Sequence, residues 1–220
     1  MSDKVRFAVI LAGCGNKDGA EIHESVMTLW AIHKHGADYQ CFAPDIPQHH
    51  VLNFITNEEM AESRNVMIEA ARIARSNIKN LTEYKAADYD GLVMPGGVGV
   101  AKNLSTYAFD GPDCKVNEDV ARAVQETAAQ KKPIGALCIA PAVIAKILGN
   151  ITVTIGQDEK TEAALAKMGA SHEKTTHGEI AIDRVNRVVT TPCYMLDARV
   201  DQIGAGVEKL VMAMLDMVRH

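Results

Sequence analysis

The residues best suited to chemistry lie in Ala136-Leu137-Cys138-Ile139-Ala140-Pro141. A nucleophile stands between small residues where an apolar strand should turn into a helix, with Cys in the place of the more usual Ser. Such a bend strains the backbone at its centre, and small neighbours keep it free of clashes. The thiol would face the positive end of the helix starting near Ala140. That field favours thiolate and predicts a lowered Cys138 pKa. A buried strand-end cysteine without chemistry is the competing reading of this segment alone.

Two further segments gain meaning beside it. In Met94-Pro95-Gly96-Gly97-Val98-Gly99 the glycines follow an apolar strand, so backbone N–H groups can converge on an anion or a developing oxyanion. The spacing matches neither a nucleotide P-loop nor a dinucleotide fingerprint. In Glu21-Ile22-His23-Glu24 two carboxylates three residues apart share one face at a helix start. They suit the helix dipole, or one of them could reach over the strand ends to act as acid or base toward Cys138. Cys14, between Gly13 and Gly15, could line the same crevice or merely fit a turn. His33 and His35 fall on different helix faces, His49-His50 lacks a third ligand at useful spacing, and nothing local supports a role for His172 or His177. No metal or cofactor is expected.

The elements that must hold these residues alternate. Val5–Leu11, Tyr39–Ala43, Gly91–Met94, Pro133–Leu137, Glu179–Ile182 and Val188–Thr191 read as strands. Ala20–His35, Glu58–Ser76, Val116–Gln130, Ala140–Leu148, Lys160–Met168 and Ile203–Val218 read as helices, with 95–99 a tight turn and 44–90 a long excursion carrying an added helix. The alternation predicts one α/β domain over 1–220, a mainly parallel sheet covered by helices on both faces. Ligands of such sheets bind beyond the carboxyl ends of the strands, where loops 12–21, 95–99 and 138–141 should meet.

The 220 residues carry 23 basic and 28 acidic side chains, a net charge of −5, and 47% are apolar. That is enough apolar surface for a full core. No apolar run is long enough to cross a bilayer, and no basic block suits a phosphate backbone, so neither membrane nor nucleic acid is an expected partner. Five scattered cysteines without a CxxC argue against a disulfide framework or a four-thiolate zinc site. The opening Met1-Ser2-Asp3-Lys4-Val5-Arg6 shows neither a secretory nor a transit pattern, which sets a cytoplasmic expectation. The N-x-[ST] triplets at Asn80, Asn103 and Asn150 read as chance matches.

Taken together, several stretches resemble the ElbB-like branch of the ThiJ/PfpI superfamily, the deglycase and class-I glutamine amidotransferase-like group. They are Gly13-Cys14-Gly15, Asp18-Gly19-Ala20-Glu21-Ile22-His23-Glu24, Phe42-Ala43-Pro44-Asp45, Glu62-Ser63-Arg64-Asn65-Val66, Pro95-Gly96-Gly97, Ala101-Lys102-Asn103-Leu104-Ser105, Lys132-Pro133-Ile134-Gly135, Cys138-Ile139-Ala140-Pro141 and Val189-Thr190-Thr191-Pro192. The resemblance implies a flavodoxin-like three-layer sandwich and a homodimer. It implies Cys138 as nucleophile, with Glu24 as the helix glutamate and Glu21 as its alternative in a shifted register. Gly97 and Ile139 would supply the oxyanion N–H groups, and Gly96, Cys14 and Asn103 would line the substrate site. Similar members are described as glutathione-independent glyoxalases acting on small 2-oxoaldehydes, and the family name also associates them with isoprenoid production. A redox or carbonyl sensor using the same thiol, or a deglycase- or amidase-like hydrolase, are the alternatives. The late His-x-Glu of glutamine amidotransferases is missing, since Thr191-Pro192-Cys193-Tyr194 stands there and His177-Gly178-Glu179 comes too early. A glutaminase is therefore disfavoured.

Overall fold

The computed structural model describes residues 4–220, so Met1-Ser2-Asp3 of the N-terminal reading lies outside the described residues. In chain order the elements are β1 (Arg6–Ile10), α1 (Ile22–Lys34), β2 (Asp38–Ala43), α2 (Val66–Ile73), β3 (Ile78–Asn80), β4 (Gly91–Met94), α3 (Val98–Lys102), α4 (Tyr107–Asp110), α5 (Glu118–Ala129), β5 (Ile134–Leu137), α6 (Ala140–Leu148), β6 (Thr152–Val153), α7 (Glu159–Lys167), β7 (Ser171–His172), β8 (Ala181–Asp183), β9 (Val188–Thr191) and α8 (Val200–Arg219). Seven strands form one sheet in the order β3-β2-β1-β4-β5-β9-β8, and β6 pairs with β7 apart from it. All neighbours in the large sheet run parallel except β8 and β9. This is the expected flavodoxin-like α/β architecture.

The central strands are apolar along their whole length because helices cover both faces. Every residue of β4, β5 and β9 is buried. The chain runs outward through β2 and β3 on one side of β1, then returns to β4 and β5 on the other. The order therefore reverses between β1 and β4, and a crevice opens beyond their carboxyl ends. In register Val93 pairs with Gly135 and Met94 with Ala136, which sets the loop after β4 against the loop after β5. Three of the helices start on short polar side-chain caps: Asn65 accepts from the Ile68 N–H, Asn117 from Asp119 and Val120, and Asp158 from Thr161.

The chain departs from the sequence reading in places. The helix expected over 58–76 forms only at Val66–Ile73. The Asn65 cap fixes its start, while the preceding residues run back along 47–52 through bridges between Pro47 and Asn65 and between Leu52 and Glu59. The 95–99 turn ends early, because Val98 already opens α3. Four short elements, β3, α4, β6 and β7, were not anticipated; at two to four residues each they carry no measurable period.

Candidate active site

Cys138 follows β5 and takes φ +59°, the left-handed conformation that a side chain adopts only under strain. Its N–H donates to the Thr191 carbonyl at 3.0 Å, which ties the bend to β9. Ile139 then caps α6, and Pro141 in its first turn gives up no needed N–H. The geometry is that of a nucleophile elbow. Only 8% of Cys138 is exposed. Its sulfur is surrounded by the backbone N–H groups of Gly97 and Ile139 and by the Glu24 carboxyl. Close approach is possible because residue 96 is glycine. A Cβ there would lie 2.4 Å from the Cys138 Cβ and 2.6 Å from Glu24 Oε2. Gly97, at φ +98°, turns the chain so that its own N–H meets the sulfur.

Glu24 lies in the first turn of α1 and is 0% exposed. Its Oε2 accepts from the Gly96 N–H at 3.0 Å and its Oε1 from the Tyr194 N–H at 3.3 Å. Burial, and after it the charge of Glu21, push the Glu24 carboxyl up to about 8; its hydrogen bonds oppose the shift. Burial likewise raises the Cys138 thiol well above its ordinary value, and Glu24's charge adds to the effect. The expected lowering of this pKa therefore does not occur. The N–H groups of Gly97, ahead of α3, and Ile139, ahead of α6, do pull it down, but desolvation of the thiolate outweighs them. Two anions side by side in this site are disfavoured, so the thiol keeps its proton while the carboxyl, near 8, releases its own first and is already ionised in a minor fraction of molecules at neutral pH.

The other candidates fall in different places. Glu21 caps α1, its Oε2 accepting from the Glu24 N–H at 2.7 Å, and its own N–H donates to the Gly96 carbonyl at 2.9 Å. It acts on Glu24 through charge rather than facing the sulfur. The Gly96 N–H is spent on Glu24, so among the candidate donors only Gly97 and Ile139 point at the sulfur. Asn103 is not brought to the thiol. Its amide donates to the carbonyls of Ala12 (3.0 Å) and Asp18 (2.9 Å), and its oxygen accepts from the His49 N–H (2.9 Å), so it pins the first loop. Half-buried Cys14 has Glu69, Arg72, Asp18 and Arg64 as its charged neighbours, away from the elbow. The segment Thr191–Tyr194, assigned no site role by its sequence, holds the elbow through Thr191 and Glu24 through Tyr194. Cys193, buried and at φ +43°, sits close enough to feel both Glu24 and Cys138. A proline followed by a non-glycine residue in a left-handed turn leaves no sequence signal. Among the described residues no imidazole bonds the sulfur: His23 meets the Tyr194 hydroxyl at 2.8 Å and His177 the Asp197 carbonyl at 3.0 Å.

A model of the DJ-1/PfpI family matches residues 16–190. The chain belongs to the DJ-1/PfpI family. Its likeness to the rat ES1 protein homolog, mitochondrial, is 42% identity over 97% of this chain and 84% of that protein. It superposes on the crystal structure of an isoprenoid biosynthesis protein with amidotransferase-like domain from Ehrlichia chaffeensis with a TM-score of 0.91, at 35% identity over 97% of this chain and 99% of that one. The glyoxalase III of Candida albicans shares the fold, with a TM-score of 0.60 and 15% identity over 97% of each chain. The resemblance to the ThiJ/PfpI superfamily thus holds. The cytoplasmic expectation does not: three curated relatives, the rat protein among them, are named mitochondrial. Among the described residues no helix is long and apolar enough to cross a membrane.

Proposed function

We propose that this DJ-1/PfpI protein is a glutathione-independent glyoxalase III-like lyase that converts a small 2-oxoaldehyde, methylglyoxal or glyoxal, into a 2-hydroxy acid. The observation that carries this reading is a fully buried carboxyl set beside an elbow thiol across Gly96, with the Gly97 and Ile139 N–H groups next to the same sulfur. In the fraction of molecules where Glu24 is ionised, a minor one at neutral pH because its carboxyl titrates near 8, the carboxylate takes the thiol proton as the sulfur adds to the aldehyde carbon, and returns it to the resulting oxygen to give a hemithioacetal. Glu24 then removes the hydrogen from that carbon, and the enediolate is reprotonated on the adjacent carbon. The former aldehyde carbon is thereby oxidised and the former ketone carbon reduced, with no external oxidant. Water cleaves the thioester, releasing the 2-hydroxy acid and the thiol. The Gly97 and Ile139 N–H groups support the anionic oxygen. A carboxyl near 8 suits a group that must give and take one proton within a turnover at neutral pH.

The thiol's burial and raised pKa speak against the sensor alternative, which needs a ready thiolate. The lack of an imidazole on the sulfur among the described residues speaks against an amidase. We propose a homodimer as well; Val26, Trp30 and Val200 leave an apolar face on α1 and α8 for a second copy. The reaction is tested by lactate formation from methylglyoxal without glutathione. Wild type should turn over, Cys138→Ala should not, and Glu24→Gln should lose most of its rate. A Cys138→Ala protein as fast as wild type removes the nucleophile, and full rate in Glu24→Gln with loss in Glu21→Gln moves the base to Glu21.

A further inference from the structure

Beside the elbow lies a cleft of about 640 Å³. Clefts of roughly 300–1,000 Å³ bury ligands of drug size, far more than three carbons need. Its lining begins at Val98 and Ile139, the first the neighbour of Gly97 and the second itself a donor to the sulfur. It continues past Tyr107 and Phe109 of α4 to Lys160 and Lys167 of α7. The Tyr107 hydroxyl lies near Thr161, where α4 meets α7 across the cleft. The two lysines stand seven residues apart, two turns along one helix face, so the lining carries two basic side chains against one acid, Asp110, with Asp158 near Tyr107 at the start of the same helix.

We infer that this cleft receives the arm of a larger 2-oxoaldehyde, an aryl or alkyl group whose far end carries a negative charge, while the aldehyde sits at Cys138. The inference rests on the glyoxalase reading for its chemistry, but the arm's binding can be measured without turnover. An α-bromoketone alkylates the thiol: the sulfur attacks the methylene, a C–S bond forms, the C–Br bond breaks and bromide leaves. The probes are bromoacetone, phenacyl bromide and 4-carboxyphenacyl bromide. Each rate of Cys138 labelling is divided by the rate of the same reagent with free N-acetylcysteine at the same pH.

The normalised rate should rise from bromoacetone to phenacyl to carboxyphenacyl. The first and last should differ at least about tenfold, since burying a ring is worth more than one tenfold step. Ala163→Trp, an exposed α7 position on the cleft, should bring both aryl reagents down to the bromoacetone value. Lys160→Ala with Lys167→Ala should erase only the carboxylate's advantage. Equal normalised rates in wild type, or an aryl preference untouched by Ala163→Trp with its helix content intact, overturns the inference. Methylglyoxal turnover by wild type is scored separately. Its absence sinks the reaction and leaves the cleft standing, whereas turnover without aryl preference does the reverse.

Discussion

Replacing Glu24 by Gln should flatten the pH dependence of stability between pH 5 and pH 8. In the folded protein this carboxyl titrates at about 8 against an ordinary 4.5, because it is fully buried beside Glu21. Below pH 4.5 both folded and unfolded chains hold the proton and nothing is lost. Between the two values the unfolded chain has released its proton while the folded chain keeps it. Each pH unit then favours unfolding by about 1.4 kcal/mol, and the loss reaches about 5 kcal/mol once pH passes 8. The stability is thus present at low pH and lost as pH rises. Gln removes the titration. It also sets an amide NH₂ against the N–H of either Gly96 or Tyr194, an unmet donor costing about 1–3 kcal/mol at every pH. The slope, not the absolute value, is therefore the readout. Urea unfolding at pH 5, 6, 7, 8 and 9 measures it. A Gln variant whose stability falls with pH as steeply as wild type refutes the claim that Glu24 holds its proton in the folded state.

Other perturbations separate positioning from chemistry. Gly96→Ala puts a Cβ into the gap between Cys138 and Glu24; overpacking should cost about 1–3 kcal/mol and lower the Tm by several degrees, with loss of methylglyoxal turnover. A Tm and rate equal to wild type would show that the thiol and carboxyl can separate freely. Asn103→Ala removes three hydrogen bonds, two pinning the first loop and one holding His49, each worth about 1 kcal/mol net, so denaturant stability should fall while KM stays unchanged. A raised KM with intact stability would return Asn103 to the substrate site. Glu21→Gln keeps an oxygen to cap α1 but removes a negative charge beside Glu24. The pH midpoint of the Glu24-dependent slope should move below 8, and an unmoved midpoint would mean that burial alone sets it.

What could be read from the residues and what could not divide along physical lines. β5 and α6 were legible almost to the residue, because an apolar run meets small residues and a proline that only a helix's first turn tolerates. The helix over 58–76 was overread because Met60 continues the apolar period of α2 while its side chain stands in solvent; the Asn65 cap, a local signal, outranked periodicity. The same contrast governs the site. A helix start beside Cys138 is visible in sequence, and so is its pull toward thiolate. Burial is a property of everything packed around the sulfur: α1, the loop after β4 and the Thr191–Tyr194 turn, brought together from across the chain. Desolvation therefore reversed the sign of a pKa expectation that was sound for the local field alone. Glu21 and Glu24 could not be separated by spacing for a related reason. Both lie in one turn, and only the direction in which α1 docks decides which carboxyl caps the helix and which enters the protein. Once Glu21 accepts the Glu24 N–H it is committed to the helix end, and Glu24 is left facing Gly96 and the thiol. The cap thus orients the acid, and its charge helps keep that acid protonated where the sulfur needs a proton partner.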